Sequence, residues 1–307
     1  MYTLKNLIFY IALIATGLPC FSQNQSVYGR VFPERNDDLG WENEVVAFRA
    51  YGPQTQKDGE KSFGYDIFLK YPGKGMVLEE LYGNQCSADN WRKVDSLRKI
   101  DPAMAQKFQD SFTYHIDHGK GMDCYAVGPT LGCGVPAVMT GDSIVFPWCY
   151  DKVDILENGP ERFKARLTFA PKVIEGDTIT EVRTIVLDSK SHLNYSEVNY
   201  LGARHPLTVV TGFPRRDNGE TFTNADKGII ALTDPTQGPD NGKIFVGLIM
   251  LNHNDGIFEK DNHLLISTTL QPQQPLRYYW GYAWDKTDIP TLDAWVKYLT
   301  SFRTDHQ

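Results

Sequence analysis

Residues 162–169 read Arg-Phe-Lys-Ala-Arg-Leu-Thr-Phe, so apolar side chains occupy every second position. Successive side chains of a strand point to opposite faces of a sheet, and this alternation therefore predicts an antiparallel strand with one buried face. The chain after this stretch continues in the same style, with short apolar segments separated by turn residues. Further strands are predicted at 142–150, 178–187, 193–201, 207–213, 228–232, 244–250, 263–270 and 277–284.

The segments on either side of this β region complete the predicted architecture. Strands are expected at 26–32, 45–51 and 65–71, whereas 33–43 is polar and rich in turn residues. Residues 87–111 are helical in pattern, because Ser87 and Asp101 are good N-caps and Pro102 suits a first helical turn. An amphipathic helix is expected at 293–302. With roughly a dozen strands, the sequence predicts a mainly β protein, a large antiparallel β-sandwich with a helical insertion and a C-terminal helix. We expect one domain spanning residues 24–307.

The N-terminal 23 residues have the pattern of a secretory signal peptide. Lys5 supplies a basic start, and residues 7–18 are apolar but too short to span a bilayer. Cys20 and Ser22 are small residues at the spacing that signal peptidase requires. A lipoprotein anchored at Cys20 is the alternative, although Pro19 is a poor residue in front of a lipidated cysteine. We therefore expect a periplasmic or secreted protein.

Composition narrows the possible partners. The net charge of -7 and the pI near 5.5 give no basic surface for nucleic acid. No stretch after the signal could span a membrane. Four cysteines remain in the mature chain, which permits two disulfides in an exported protein. A bridge between Cys124 and Cys133 is one possibility, and free buried thiols are the other.

The stretch from His115 to Tyr125 contains two histidines, two aspartates, a lysine and a tyrosine within eleven residues. It is followed by a glycine-rich segment at 128–134. Its apolar positions keep neither the helical nor the strand period, so it is predicted to be a loop. Polar loops held on a rigid scaffold often carry function, and we expect this stretch to line a site.

Two later segments, 202–216 and 277–284, are expected to face that loop and complete the site. The adjacent aromatic residues of the second segment cannot all face one cleft, since neighbours on a strand point in opposite directions. The predicted catalytic residues are His115, His118, Lys120, Tyr125 and His205. The predicted substrate-binding residues are Arg35, Asp38, Trp41 as a stacking platform, Arg204, Arg215 and Tyr278.

This inventory matches proton abstraction next to a sugar carboxylate. The C5 proton of a uronic acid is only weakly acidic, so an enzyme must neutralise the neighbouring carboxylate, which arginine does bidentately and lysine as a point charge. A histidine or tyrosine then removes the proton. A divalent metal is also possible at His115, Asp117 and His118, although their spacing matches no specific zinc signature. No other cofactor is expected, because the chain has no phosphate-binding motif.

Several segments resemble a known family of domains of unknown function encoded in bacterial polysaccharide-utilisation loci. Residues 33–38, 41–43 and 47–53 carry the resemblance, together with Gly-Lys-Gly-Met-Asp-Cys-Tyr at 119–125 and Gly-Pro-Thr-Leu-Gly at 128–132. Members are sometimes fused to unsaturated glucuronyl hydrolases. The family is similar to an oligosaccharide dehydratase of ulvan breakdown, and the resemblance implies a galactose-mutarotase-like supersandwich.

The lead hypothesis is therefore a carbon–oxygen lyase, a dehydratase that removes water from a non-reducing-end uronic acid of an oligosaccharide. Its product would be a 4,5-unsaturated uronyl residue. A sugar epimerase or mutarotase would use similar acid and base groups, and a non-catalytic glycan-binding protein would use the aromatic residues alone. The expected partner is an oligosaccharide containing uronic acid, and the oligomeric state is not predicted.

Overall fold

The computed structural model describes residues 26–216, 219–238 and 240–304, so the predicted signal peptide lies outside the described part. Five antiparallel strands form the first sheet, in chain order: β1 (Val27–Phe32), β2 (Asp38–Asn43), β3 (Ala47–Ala50), β4 (Tyr65–Lys70) and β5 (Gly121–Asp123). A short 3-10 turn joins β1 to β2. Residues 33–43, expected to be polar and rich in turns, form a turn only in their first half, because the second half is a strand whose six residues are all buried.

The predicted helical insertion is confirmed, and it covers the outer face of the first sheet. Its predicted range, 87–111, contains α3 (Ala88–Arg98) and α4 (Pro102–Asp110), and α2 (Leu78–Gln85) precedes them between β4 and β5. A short helix before β4, α1 (Pro53–Lys57), is separate from the insertion; helices are numbered in chain order. Ser87 and Asp101 cap α3 and α4 as expected, accepting hydrogen bonds from main-chain N–H groups. Helix α2 packs Leu81 and Tyr82 against Phe32 and Phe68 of the sheet.

Two further sheets contain the remaining strands. Their bounds in chain order are β6 (Ala137–Thr140), β7 (Ser143–Val145), β8 (Lys152–Asn158), β9 (Arg162–Thr168), β10 (Lys172–Ile174), β11 (Asp177–Asp188), β12 (Leu193–Leu201), β13 (Leu207–Pro214), β14 (Thr221–Asn224), β15 (Ile229–Pro235), β16 (Lys243–Met250), β17 (Gly256–Lys260), β18 (His263–Leu270) and β19 (Leu276–Trp284). The large second sheet has the order β14-β15-β16-β19-β12-β11-β9-β8, with β10 paired to β11, and the third sheet has the order β17-β18-β13-β6-β7.

One hydrophobic core joins the inner faces of the three sheets. The alternation that predicted β9 holds, since Phe163, Ala165 and Leu167 are buried in this core while the residues between them are partly or fully exposed. On the opposite face of the large sheet lies α5 (Leu292–Ser301), which buries Trp295 and Leu299. The predicted β-sandwich with its C-terminal helix is thus confirmed. None of the described helices is long and apolar enough to cross a membrane.

Candidate functional site

A cluster of ionisable side chains is buried at the outer face of the first sheet. Arg49 of β3 is only 3% exposed and forms ion pairs with Asp66 of β4 and Asp123 of β5, the latter at 2.9 Å between Nη2 and Oδ2. Arg49 and Asp66 are cross-strand partners, which is why these two side chains meet. The carboxylate of Asp38 on β2 lies 3.7 Å from Nη1 of Arg49. Strands β2, β4 and β5 therefore each direct a carboxylate at the guanidinium on β3.

A second arginine reaches the cluster through Tyr114. The chain turns after Arg35 through two residues with left-handed backbone, Asn36 at φ 55° and Asp37 at φ 59°, a conformation that asparagine and aspartate tolerate best. Arg35 Nε donates to the Tyr114 hydroxyl at 3.4 Å, and Arg49 Nη1 donates to it at 3.3 Å. We name this cluster the Arg49 site; its residues are Arg35, Asp38, Arg49, Asp66, Tyr114, His115 and Asp123.

The carboxylates of this site outnumber its guanidiniums by three to two. Burial and the charge of Asp66 together raise the pKa of Asp123 to about 8, against the lowering effect of Arg49. Burial also raises the pKa of Asp38 to about 6, against the lowering effect of Arg49. Asp123 therefore keeps its proton at neutral pH, which removes the charge that the arginines do not balance.

His115 connects the buried cluster to solvent. Its side chain is 55% exposed, and its Nδ1 lies 3.0 Å from the main-chain oxygen and 3.9 Å from Oδ2 of Asp123. A carbonyl oxygen can only accept a hydrogen bond, so Nδ1 must carry the proton and neutral His115 has its lone pair on Nε2. Among the described residues no group donates to that Nε2. Partial burial lowers the pKa of His115, and the charges of Arg49 and Arg35 lower it further. The site thus presents an unprotonated imidazole nitrogen at neutral pH.

His118 and Lys120 lie on the same loop but have other contacts. His118 is exposed, and its Nε2 is 3.2 Å from the main-chain oxygen of Thr113. Lys120 forms an exposed ion pair with Glu80 of α2. Neither side chain makes a contact with the Arg49 site in the described structure.

The three segments touch through buried residues, but their predicted site residues do not converge on one site. Arg204 and His205 both bind Asp177 on the large sheet, with Nε–Oδ1 at 2.6 Å and Nδ1–Oδ2 at 3.2 Å. These contacts lower the pKa of Asp177 to about 2, chiefly through the main-chain N–H of Arg204. Arg215 pairs with Glu259 on the third sheet. These three residues therefore belong to two groups of ion pairs, one at Asp177 and one at Glu259, and neither includes a residue of the Arg49 site.

Four predicted site residues are buried and cannot touch a substrate in this structure, and one of them is Asp38 of the Arg49 site, which is fully buried. Trp41 is fully buried and donates from Nε1 to Asn194 Oδ1 at 2.8 Å, so it is a core residue and the stacking role was wrong. Tyr278 is also fully buried and donates to the main-chain oxygen of Gly134 at 2.9 Å. Tyr125 is 2% exposed and lies under the guanidinium of Arg216, 4.8 Å from its ring centroid.

The residues of the Arg49 site that were not predicted are Arg49, Asp66, Tyr114 and Asp123. A signal was present, because Arg49 and Asp66 are charged residues within otherwise apolar predicted strands, and such residues are rarely buried without partners. The possible Cys124–Cys133 bridge is absent, since all four described cysteines are free. Within the described ranges no three acidic, histidine or cysteine side chains are placed to hold a metal ion.

Comparison with known proteins gives the family. Residues 19–307 match the model of the family described as "Domain of unknown function (DUF4861)". The sequence is 31% identical over 283 residues to "Uncharacterized protein P7" of Formosa agariphila, which covers 90% of this chain and 66% of the relative. The chain thus spans about two thirds of that relative's length.

A solved structure called "Putative kojibiose phosphorylase from human microbiome" is similar over 55% of this chain and 25% of its own, with 10% identity and a TM-score of 0.36. That likeness is too weak to support a conclusion about fold or function. The family model, in contrast, spans nearly the whole sequence. The chain therefore belongs to the DUF4861 family.

Proposed function

We propose that this protein is a carbon–oxygen lyase that dehydrates a terminal uronic acid of an oligosaccharide, with His115 as the proton-transfer residue. The observation that carries the proposal is the hydrogen bond from His115 Nδ1 to the Asp123 carbonyl. A general base needs a fixed tautomer, a free nitrogen and a pKa low enough to be unprotonated at the working pH. His115 meets these three requirements beside a half-buried arginine.

The reaction can be written with the groups of the Arg49 site. Arg35 is half-buried and is the guanidinium nearest the surface, so it pairs with the substrate carboxylate and stabilises negative charge as it develops at C5. His115 Nε2 takes the C5 proton. The C4–O bond then breaks, a C4–C5 double bond forms, and the hydroxyl leaves as water with the proton that the imidazolium returns. One imidazole serves both steps if the proton and the hydroxyl are on the same face of the sugar.

The buried residues have a supporting role. Arg49, Asp38 and Asp66 hold the sheet end rigid and fix Tyr114, while Asp123 orients the His115 ring through its main-chain oxygen. Preorganised groups of this kind stabilise a transition state without reorganising during the reaction. Because the carboxyl of Asp123 is protonated and neutral, it does not stabilise the imidazolium form of His115, which can therefore return its proton.

The remaining parts of the proposal concern location and partners. The signal-like pattern of residues 1–23 favours a periplasmic or secreted enzyme, which is where an oligosaccharide from an external polysaccharide would be met. The reaction uses no cofactor. Membership of the DUF4861 family is compatible with this proposal and does not select among reactions.

The proposal is tested by incubating the purified protein with oligosaccharides that end in a uronic acid. Ultraviolet absorbance of the new alkene, product mass and new reducing ends are followed together. Dehydration predicts an increase in absorbance and the loss of one water, without new reducing ends.

The other outcomes contradict the proposal in distinguishable ways. Absorbance with new reducing ends would indicate chain cleavage by a lyase. A change of sugar stereochemistry without absorbance, detected by NMR, would indicate an epimerase or mutarotase. Binding without any chemical change would indicate a glycan-binding protein.

A further inference from the structure

The outer face of the large sheet contains a groove that has no role in the reaction proposed above. It lies between α5 and strands β9, β11, β12 and β19, and it encloses a volume of about 470 Å³. Volumes of this size are typical of sites for small ligands. His115 and the Arg49 site are carried by the first sheet, so the groove is a separate feature of the molecule.

The groove carries a concentrated positive charge. Five cationic side chains and two carboxylates line it, a local balance of +3 in a chain whose total is -7. Arg162 and Arg277 are neutralised by their ion pairs with Asp188 and Glu197. The other three cations, Lys164, Lys190 and Arg303, have no ion-pair partner within the described part of the chain. A local excess of this kind attracts anions despite an acidic surface elsewhere.

Aromatic rings lie beside these cations. Tyr195 and Tyr279 are cross-strand partners with ring centroids 5.3 Å apart, and Phe302 continues the row at 5.0 Å from Tyr279. The strand register also places Lys164 opposite Val186 and Val186 opposite Tyr195. Lys164 and the tyrosine pair therefore lie on one row across four strands, roughly 14 Å long at the usual strand spacing.

We infer that this groove binds an anionic oligosaccharide, with Lys164, Lys190 and Arg303 holding its acidic groups and the partly exposed Tyr195 and Phe302 contacting the sugar rings, while the buried Tyr279 supports both rings from below. An exposed aromatic ring offers apolar area to a sugar ring, while lysine and arginine pair with carboxylate or sulfate. Nucleic acid is a poorer occupant, because the chain as a whole is acidic. That the ligand is a saccharide rests on the proposed function, whereas its negative charge follows from the groove alone.

Binding in the groove would hold the protein on its polysaccharide while the Arg49 site acts on the end of a saccharide chain. Linking two sites in this way raises the effective concentration of substrate without a new catalytic contact. The groove would then affect turnover of long oligosaccharides more than turnover of short ones.

The inference is tested by isothermal titration calorimetry of the full chain with a galacturonic acid hexasaccharide, a sulfated heparin hexasaccharide and neutral maltohexaose. We expect binding of at least one anionic hexasaccharide, weakened by added salt, and none of maltohexaose. Lys164→Gln and Lys190→Gln should each weaken binding roughly tenfold, as expected for a lost charge-assisted hydrogen bond. The two acidic hexasaccharides distinguish carboxylate from sulfate recognition.

The matched control is the double variant Lys227→Gln, Lys243→Gln, which removes two positive charges outside the groove. If it weakens binding as much as the two groove substitutions together, the effect is one of net charge and the inference fails. Unchanged affinity of the groove variants, or equal binding of maltohexaose, also overturns it. Tyr195→Ala should weaken binding of the hexasaccharide but leave the affinity for inorganic sulfate, measured by competition with the hexasaccharide, unchanged. An equal loss of affinity for both ligands would exclude contacts between Tyr195 and the sugar rings.

The groove and the proposed reaction can fail separately. His115→Ala should bind the hexasaccharide as the wild type does, because His115 is not part of the groove. Binding that depends on Lys164 and Lys190 without any dehydration would refute the proposed function and support the groove. Dehydration by the wild type, with unchanged hexasaccharide affinity in both lysine variants, would support the proposed function and refute the groove.

Discussion

His115 donates its Nδ1 proton to the main-chain oxygen of Asp123 across 3.0 Å, which leaves Nε2 as the nitrogen available for proton transfer. This arrangement depends on a main-chain atom and not on a carboxylate. The ring is therefore oriented without a full negative charge next to it. Partial burial lowers the pKa of His115 by more than this hydrogen bond raises it, so the net pKa is lowered. This relationship ties the local polar loop to the buried ionic cluster behind it.

We predict that His115→Ala lowers kcat for dehydration by about 10²–10⁴, the usual contribution of a general acid–base group. The pH profile gives a second criterion. Because the pKa of His115 is lowered, kcat/KM of the wild type should be constant at neutral pH and fall only at pH values below the ordinary histidine pKa. Initial rates of alkene formation between pH 4 and 8 measure both effects.

His118→Ala is the matched control, since His118 is on the same loop and is bonded to a main-chain oxygen of that loop. Its loss should change the rate less than about threefold, within the range of a surface substitution. A large loss of activity in this variant, together with normal activity of His115→Ala, would move the site along the loop.

We predict that Asp123→Asn alters the pH dependence of stability. The folded pKa of about 8 exceeds the ordinary value, so the folded state binds one more proton than the unfolded state between roughly pH 4 and 8. In this window the wild type loses stability as pH rises, by up to about 1.4 kcal/mol per pH unit. The asparagine side chain imitates the protonated acid and removes this loss. The variant should therefore gain stability relative to the wild type as pH increases.

Urea unfolding at several pH values between 4 and 8 measures this difference. Asp95→Asn is a suitable control, because Asp95 is exposed and pairs only with the neighbouring turn at Arg98. A difference between Asp123→Asn and the wild type that does not change with pH would mean that Asp123 is ionised in the folded protein at neutral pH.

Features that depend on local sequence were predictable in this chain. The caps at Ser87 and Asp101 act within one helical turn, and the alternation at 162–169 concerns one strand face. The strand β8 was missed because most of its residues are exposed and show no apolar alternation. Strand β8 is held by its hydrogen bonds to β9, and the pattern of its own side chains does not predict this pairing.

Features that depend on register were not predictable. The adjacent aromatic residues at 278–280 were expected to face different ways, but all of them are apolar, so nothing in the sequence indicated which side of the sheet each one faces. All three are buried: the predicted Tyr278 lies in the core between the sheets, whereas Tyr279 packs on the other face with α5, beside the groove. The Arg49 site was not predicted for the same reason, since only the register of β3 with β4 shows that Arg49 meets Asp66.

We predict that Glu42→Ala destabilises the fold by about 3–5 kcal/mol, the cost of breaking a buried ion pair. The Glu42 carboxylate accepts hydrogen bonds from the main-chain N–H of Val77 and Leu78, and from Lys70 Nζ at 2.7 Å. The substitution leaves the first turn of α2 without this acceptor and leaves Lys70 as a buried charge whose remaining hydrogen bond is to the main-chain oxygen of Asn43. Urea unfolding at neutral pH measures the loss.

Glu80→Ala provides the comparison on the same helix. Its ion pair with Lys120 is exposed, so its loss should cost less than about 1 kcal/mol. Similar losses for both variants would show that Glu42 contributes through its exposed neighbours and not through the buried pair.

The turn that carries Arg35 and Asp38 into the Arg49 site depends on the absence of a side chain at Gly52. A Cβ there would lie 2.2 Å from the main-chain oxygens of Asn36 and Asp37, so one of the two segments would have to move. The Gly52 N–H also donates to Asp38 Oδ1 at 2.9 Å, and this movement would displace the carboxylate. We predict that Gly52→Ala costs about 1–3 kcal/mol in stability, as overpacking does. The dehydration rate should fall with it.

Gly83→Ala separates this effect from a general response to added methyl groups. Gly83 lies within α2, and nothing is within 4 Å of the position of its Cβ. Alanine there should stabilise the protein by about 0.5–1 kcal/mol and leave activity unchanged, because glycine is unfavourable inside a helix. Thermal unfolding and alkene formation are measured on both variants. If Gly52→Ala retains full activity in its folded fraction, then the position of Asp38 does not control the reaction, and the Arg49 site is a structural ion cluster.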